Sequence, residues 1–242
     1  MAEPKKLIEL GDTSPLLTYP KNMAEVGISR SNKLAELGII GIYDYGPLLI
    51  DGVRVLGKGH SSLVLLAKHA TLGDVAVKIR RMDSKRDSLA KEGYLMKLDK
   101  FGVTPKIYYF DDDLLIMEFL EGTTLSNYLK NTHVIGDLLL KLVRNILHAA
   151  YMLDLDLIDH LELSNPYKHI FVLKNFDVKV IDFESAKISE NPCNLCRVTS
   201  YIVNNFLKME DLPYIKIALR KYKVGCRDTF HEIVKYLSSI LT

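Results

Sequence analysis

A lysine interrupts an otherwise apolar, mostly β-branched run at Val75-Ala76-Val77-Lys78-Ile79. Taking an ammonium group out of water is costly unless an anion meets it. A fold that makes this run an inner strand must therefore bring a carboxylate or a phosphate to Lys78; the alternative is an edge strand with the lysine in solvent. The segment that follows, about Asp87 to Leu98, reads as a helix and carries a carboxylate. Glu92 stands three residues after Leu89, three before Leu95 and four before Met96, so it shares a helix face with apolar groups turned toward a sheet. A plain surface glutamate is the competing reading.

Strand signals surround this pair. Leu48 to Ile50 and Val53 to Leu56 flank Asp51-Gly52, a two-residue hairpin turn, and further strands are expected at Leu63 to Ala67 and Val75 to Ile79. After the helix, Lys106 to Phe110 and Leu114 to Phe119 form a second hairpin across Asp111 to Asp113. The order strand, strand, strand, helix, strand, strand then gives way to helical periodicity. Ile135, Leu138, Leu142, Ile146, Ala149 and Leu153 keep one stripe along a long helix from about Val134 to Leu153. Two short strands, Ile170 to Leu173 and Val178 to Ile181, lead to a helical tail over about 190 to 242.

These signals predict an α+β chain in three parts. Residues 1–46 form an N-terminal helical extension, with a helix from Met23 to Leu37 that shows Met23, Val26, Leu34 and Leu37 on one face and stops at Gly38. Residues 47–121 form a β-rich lobe, and 122–242 a smaller helical lobe, with a small-molecule cleft expected between the two.

Three further stretches carry chemical potential. Leu56-Gly57-Lys58-Gly59-His60-Ser61-Ser62-Leu63-Val64 joins two strands, and its glycines let backbone N–H groups approach phosphate oxygens with no Cβ in the way. The same composition also makes an ordinary turn, and His60 is either a phosphate contact or an exposed loop residue. Asp182, in Val180-Ile181-Asp182-Phe183-Glu184, follows two β-branched residues, where a carboxylate needs metal or donors to offset desolvation. The third stretch is His160-Leu161-Glu162-Leu163-Ser164-Asn165-Pro166-Tyr167-Lys168-His169-Ile170, which gathers a carboxylate and two imidazoles just before a strand.

Taken in order, these motifs resemble those of protein kinases. Gly57, Gly59, Ser62 and Val64 fit the glycine-rich GxGxxGxV loop, with Ser62 in the third glycine position; Val75 to Lys78 fits the VAIK strand; and Asp182-Phe183-Glu184 fits DFG with Glu184 for glycine. Leu114 to Gly122 looks like the fifth strand and hinge. The combination HxELSxxxKHI with IDFESA is similar to archaeal predicted serine/threonine kinases, an atypical, minimal group related to RIO kinases and the small kinase subunit of the KEOPS complex. The resemblance covers about 47 to 205.

That resemblance implies a bilobal kinase fold with ATP and Mg²⁺ or Mn²⁺ as ligands. It implies nucleotide contacts from Gly57, Gly59, Ser61, Ser62, Val64, Ala76 and Lys78, with Met117 as gatekeeper and backbone groups of Glu118 and Leu120 on adenine. Lys78 and Glu92 would pair, Asp182 would hold metal, and Glu162, in place of the usual catalytic aspartate, would orient the acceptor hydroxyl. His169 falls where a second metal ligand belongs, because the loop carries two more residues than the kinase pattern. The expected activity is γ-phosphoryl transfer to Ser or Thr of an unknown protein or of the chain itself. The alternatives are a nucleotide-binding scaffold or ATPase switch regulating a partner, and a kinase acting on a small molecule or an RNA-associated substrate. The stretch after Glu184 is short for an activation segment plus the helical subdomain of larger kinases, so their usual peptide platform is not expected.

Charge and cysteines narrow the setting. With 32 Lys and Arg against 30 Asp and Glu, the net charge of +2 offers no general field to nucleic acid or anionic membranes. The cluster Lys78, Arg80, Arg81, Lys85 and Arg86 reads as a solvated loop, the alternative being a contact to nucleic acid or a phosphorylated partner. No apolar run reaches the ~18–20 residues of a membrane span, and MAEPKKLIELGD lacks the apolar core of a secretory signal, so the expected setting is cytoplasmic. Cys193, Cys196 and Cys226 are too few and odd in number for a disulfide framework; Cys193 and Cys196 form one CxxC without the second pair a zinc site needs and read as ordinary thiols near a helix start, the alternative being metal or redox use.

Overall fold

The computed structural model describes residues 5–11, 14–206 and 212–240. Residues 1–4 and 12–13 of the expected extension, and 207–211 and 241–242 of the expected tail, lie outside them. The class is α+β, and the chain divides into two compact units: Met1–Tyr94 with Lys106–Leu120, and Leu95–Pro105 with Glu121–Thr242.

The first unit is built on strands. β1 (Lys6–Glu9), the short helix α1 (Ser14–Leu17) and α2 (Ala24–Glu36) precede β2 (Ile39–Asp44). The hairpin β3 (Leu48–Ile50) and β4 (Val53–Val55) follows, then β5 (Gly57–Lys58), β6 (Ser62–His69) and β7 (Gly73–Arg80). After α3 (Ala90–Lys97), which begins in this unit, come β8 (Ile107–Phe110) and β9 (Leu114–Glu118). The main sheet has seven strands in the order β1-β2-β6-β7-β9-β8, with β5 also paired to β6.

Local rules account for most of this. At the β3–β4 turn Asp51 and Gly52 both take positive φ, 48° and 81°, as a type I′ hairpin requires, and register puts Leu48 opposite Val55. Helix α2 stops at Gly38, φ 85°. The region expected as a helical extension holds α2, and it also lends β1 and β2 to the sheet. Gly41 makes that possible, since a Cβ there would lie 2.6 Å from the Ile8 carbonyl across the β1–β2 pair. The core gathers Leu17 and Leu34 from the N-terminal helices with Ile42, Leu65, Val77 and Leu114 from the sheet.

The second unit contains β10 (Gly122–Thr124), α4 (Leu125–Asn131), α5 (Gly136–Leu155), β11 (Ile158–Asp159), β12 (Ile170–Leu173), β13 (Val178–Val180), β14 (Lys187–Ile188), α6 (Asn194–Phe206), α7 (Leu212–Lys223) and α8 (Thr229–Ile240). Of the apolar stripe read from the sequence, Leu142, Ile146, Ala149 and Leu153 are buried on α5, whereas Ile135 precedes the helix and is exposed. Among the described residues no helix is long and apolar enough to cross a membrane.

Candidate functional site

Strand register assigns side chains to one face of the main sheet. Gly57 stands opposite Val64, Val64 opposite Lys78, and Lys78 opposite Leu115; two residues along, Ala76 stands opposite Met117. Residues two apart or directly paired share a face, so Val64, Ala76, Lys78 and Met117 project to the same side. On that side Lys78 is 5% exposed, and its Nζ donates to both carboxylate oxygens of Glu92 at 2.8 Å. Glu92 is equally buried, with buried Leu95 and Met96 on its helix and buried Leu89 just before it. The carboxylate thus answers the desolvation of the ammonium, and a one-residue slip of β7 would put Lys78 on the other face.

The loop between β5 and β6 is a tight hairpin, with Gly59 N–H donating to the Ser62 carbonyl at 2.8 Å. A Cβ on Gly59 would meet Ser62 at 3.7 Å and one on Gly57 would meet Val64 at 4.0 Å, both ordinary contacts, and neither glycine has positive φ. Nothing among the described residues requires glycine at these two positions. Ser61 and Ser62 are buried, and the Ser61 hydroxyl has no hydrogen-bond partner among the described residues.

Residues outside the sequence motifs hold this loop. Arg81 Nη1 donates to the Gly59 carbonyl and Arg81 N–H to the Ser61 carbonyl, each at 2.8 Å. Tyr19 lies against both cations: Lys58 Nζ donates to its hydroxyl at 2.7 Å, and the Arg81 guanidinium is 5.3 Å from its ring centre. Arg80 and Arg81 of the basic cluster also pair with Asp113 and Asp83. At the end of β9, Glu118 N–H is engaged by the Lys106 carbonyl at 2.8 Å, and half-buried Leu120 closes the first unit.

In the second unit, the residues from 160 to 185 converge on Glu162. His160 is completely buried and donates its N–H to Asn194 Oδ1 at 3.0 Å. Burial pushes its pKa down to about 4, so at neutral pH the ring is uncharged, with Nε2 3.1 Å from the Ile181 carbonyl. Glu162 Oε2 lies 3.0 Å from His169 Nε2, and Glu162 Oε1 accepts from the Ser185 hydroxyl at 2.6 Å. One ligand atom from each of Glu162, His169 and Asp182 falls within 4.8 Å of the others. Two carboxylates and an imidazole are a donor set that fits a divalent cation, and the imidazole favours a transition metal over a purely oxygen-seeking ion. Buried His169 Nδ1 has no hydrogen-bond partner among the described residues.

The backbone that gathers these groups is unusual. Leu161 and Asp182 both have φ of 66°, a region that costs a non-glycine residue about 1–3 kcal/mol and recurs at functional sites. A turn leads into β12: the N–H groups of His169 and Ile170 both donate to the Pro166 carbonyl, and the His169 carbonyl accepts from Ile181 N–H.

Behind this loop lies a network that the sequence reading missed. Asp154, 1% exposed at the end of α5, accepts from Asn194 N–H and Nδ2 at 2.8 Å, Leu195 N–H at 3.1 Å and the Tyr222 hydroxyl at 2.8 Å. Asn194 in turn holds His160, so one buried acid ties the start of α6 to the loop. The available signal was an aspartate placed directly after Leu153 in an apolar stripe. The cysteines need correcting: Cys193 and Cys196, expected as ordinary thiols, are joined as a disulfide at the start of α6, where the helical turn brings their Cα atoms to 5.2 Å, within bridging range. Cys226 is free and exposed.

No family model matches the chain. It is 26% identical over 159 residues to mitogen-activated protein kinase kinase 2 of Arabidopsis thaliana, a match that takes in 60% of this chain and 42% of that protein. The chain therefore spans less than half the length of this curated relative. It is distantly similar to a protein kinase.

Proposed function

We propose that the chain is an atypical serine/threonine protein kinase, minimal and of the RIO and KEOPS-subunit kind, that transfers the γ-phosphoryl group of ATP to a protein hydroxyl. The observation that carries this reading is the buried, bidentate Lys78–Glu92 pair on the sheet face shared with Val64, Ala76 and Met117. A surface ion pair would need no such burial, whereas phosphate positioning needs a lysine held at a fixed height above the strand. The glycines at 57 and 59, which no contact among the described residues demands, support close approach by a ligand's phosphates.

In this reading residues 47–121 and 122–242 serve as the two lobes, with 1–46 built onto the first. Lys78 aligns phosphate oxygens, and Glu92 fixes the lysine. Gly57, Gly59, Ser61 and Ser62 offer backbone and hydroxyl groups to phosphate, while Met117, Glu118 and Leu120 border the adenine. Asp182 and His169 would hold a divalent cation, which when bound neutralises phosphate charge. Glu162 accepts the hydrogen bond of the acceptor hydroxyl and takes its proton as the new phosphate ester forms. A second reading, a nucleotide-binding switch that transfers little, draws on one observation: both Glu162 oxygens already have partners in the chain.

Incubating the pure chain with labelled ATP and Mg²⁺ or Mn²⁺, and measuring phosphoprotein and free phosphate separately, tests the proposal. Phosphoprotein is the expected product. Free phosphate without phosphoprotein favours the switch, and absence of nucleotide binding defeats both.

A further inference from the structure

The hydroxyl of Ser185 stands where the proposed reaction needs an acceptor. Its Oγ donates to Glu162 Oε1 at 2.6 Å, while the other carboxylate oxygen faces His169. Ser185 is the third residue of a turn closed by Ala186 N–H donating to the Phe183 carbonyl at 3.0 Å. Phe183 and Ala186 are completely buried, so both ends of the turn are anchored in the core of this unit. The turn begins one residue after Asp182. A hydroxyl held this way needs no diffusional encounter, and a separate protein must displace it before reaching Glu162.

From this geometry we infer that Ser185 is the chain's own first phosphoacceptor, modified within a single molecule. The inference rests on the reading of the chain as an ATP-dependent kinase and adds the acceptor to it. In the step, Ser185 Oγ bonds to the γ-phosphorus of ATP as the bond from that phosphorus to the β–γ bridging oxygen breaks. ADP leaves with that electron pair, and the Oγ proton passes to the Glu162 carboxylate, which later releases it to water. Preorganisation gives such an internal acceptor an effective concentration far above that of any separate protein. The phosphoserine then carries a charge of about −1.5 to −2 beside a carboxylate, and the like charges drive the turn away from Glu162. The reaction limits itself to a single modification, and Glu162 is released for a second hydroxyl.

The test is a time course of the full chain with ATP and Mn²⁺ over a wide range of protein concentration, with phosphopeptides mapped by mass spectrometry and nucleotide binding followed alongside. The expected result is phosphate on Ser185 with a first-order rate constant that does not change with protein concentration. Ser185→Thr should carry phosphothreonine at the same position, which separates loss of the acceptor from loss of the fold in Ser185→Ala. Phosphate on Ser164 or Ser189 with Ser185 unmodified overturns the inference, as does a rate constant proportional to protein concentration. ADP release with an unmodified Ser185 overturns it while leaving nucleotide chemistry in place. If the chain binds no ATP, the kinase reading fails and this inference falls with it.

Discussion

Lys78 Nζ is 2.8 Å from each carboxylate oxygen of Glu92, and each residue keeps only 5% of its surface in contact with water. Attraction within such a pair roughly offsets the cost of desolvating it, so its net worth is small while the cost of removing one member is large.

Lys78→Ala should therefore lower stability by about 3–5 kcal/mol as well as abolish phosphoryl transfer, because a buried carboxylate is left facing the space of the ammonium. The double substitution Lys78→Met with Glu92→Leu should recover most of the stability and none of the activity. Chemical denaturation together with turnover at saturating ATP makes the check. If Lys78→Ala is as stable as the parent, the pair is not energetically buried in solution.

Asp182→Asn should weaken metal-dependent nucleotide binding by at least about tenfold, since an amide neutralises far less cation charge than a carboxylate. Titrating Mg²⁺ and Mn²⁺ against a fluorescent ATP analogue measures it. An unchanged metal dependence would take Asp182 out of the donor set.

Glu162→Gln and His169→Ala should separate two roles. The first should keep ATP affinity and lower transfer by about 10²–10⁴, the scale of a positioned base. The second should raise the metal concentration required and erase a preference for Mn²⁺ over Mg²⁺, because imidazole is the donor that favours Mn²⁺. Equal metal profiles for His169→Ala and the parent would leave His169 as a support for Glu162.

Gly93→Ala sets two effects against each other. Alanine in a helix gains up to about 1 kcal/mol over glycine, yet its Cβ would lie 2.4 Å from Phe110 Cγ, at the base of the ring. Overpacking of that kind costs about 1–3 kcal/mol, so the variant should be less stable, with a lower midpoint in thermal unfolding. A gain in stability would mean that Phe110 yields at little cost.

The strands of the first unit from Leu48 onward were legible because they are short apolar runs bounded by turn residues and the Asp51-Gly52 turn is chemically specific. Lys78 and Glu92 were legible as a pair because each is an anomaly in an apolar context. The loop at 160–170 was harder. Its donor set was readable as residue types, but the Pro166 turn that aims His169 depends on backbone hydrogen bonds that composition does not encode. Ser185 was invisible as a partner of Glu162, since a serine in a turn has no pattern that names its distant neighbour. β1 and β2 went unread for a related reason: β1 holds its place by pairing with β2 and β2 by pairing with β6, and the local sequence names neither partner.

Arg30 is 4% exposed on α2, yet its guanidinium reaches the carbonyls of Leu17 and Arg80, at 2.6 and 2.9 Å, and Asp113 Oδ1 at 2.8 Å. Arg80 ends β7, the strand that carries Lys78 two residues earlier. The N-terminal helix is thus bolted to the far end of the lysine's own strand, and its exposed side bears Ile28, 57% open to solvent. A displacement of α2 must therefore either give up the Arg30 bonds to Arg80 and Asp113 or carry the end of the Lys78 strand with it.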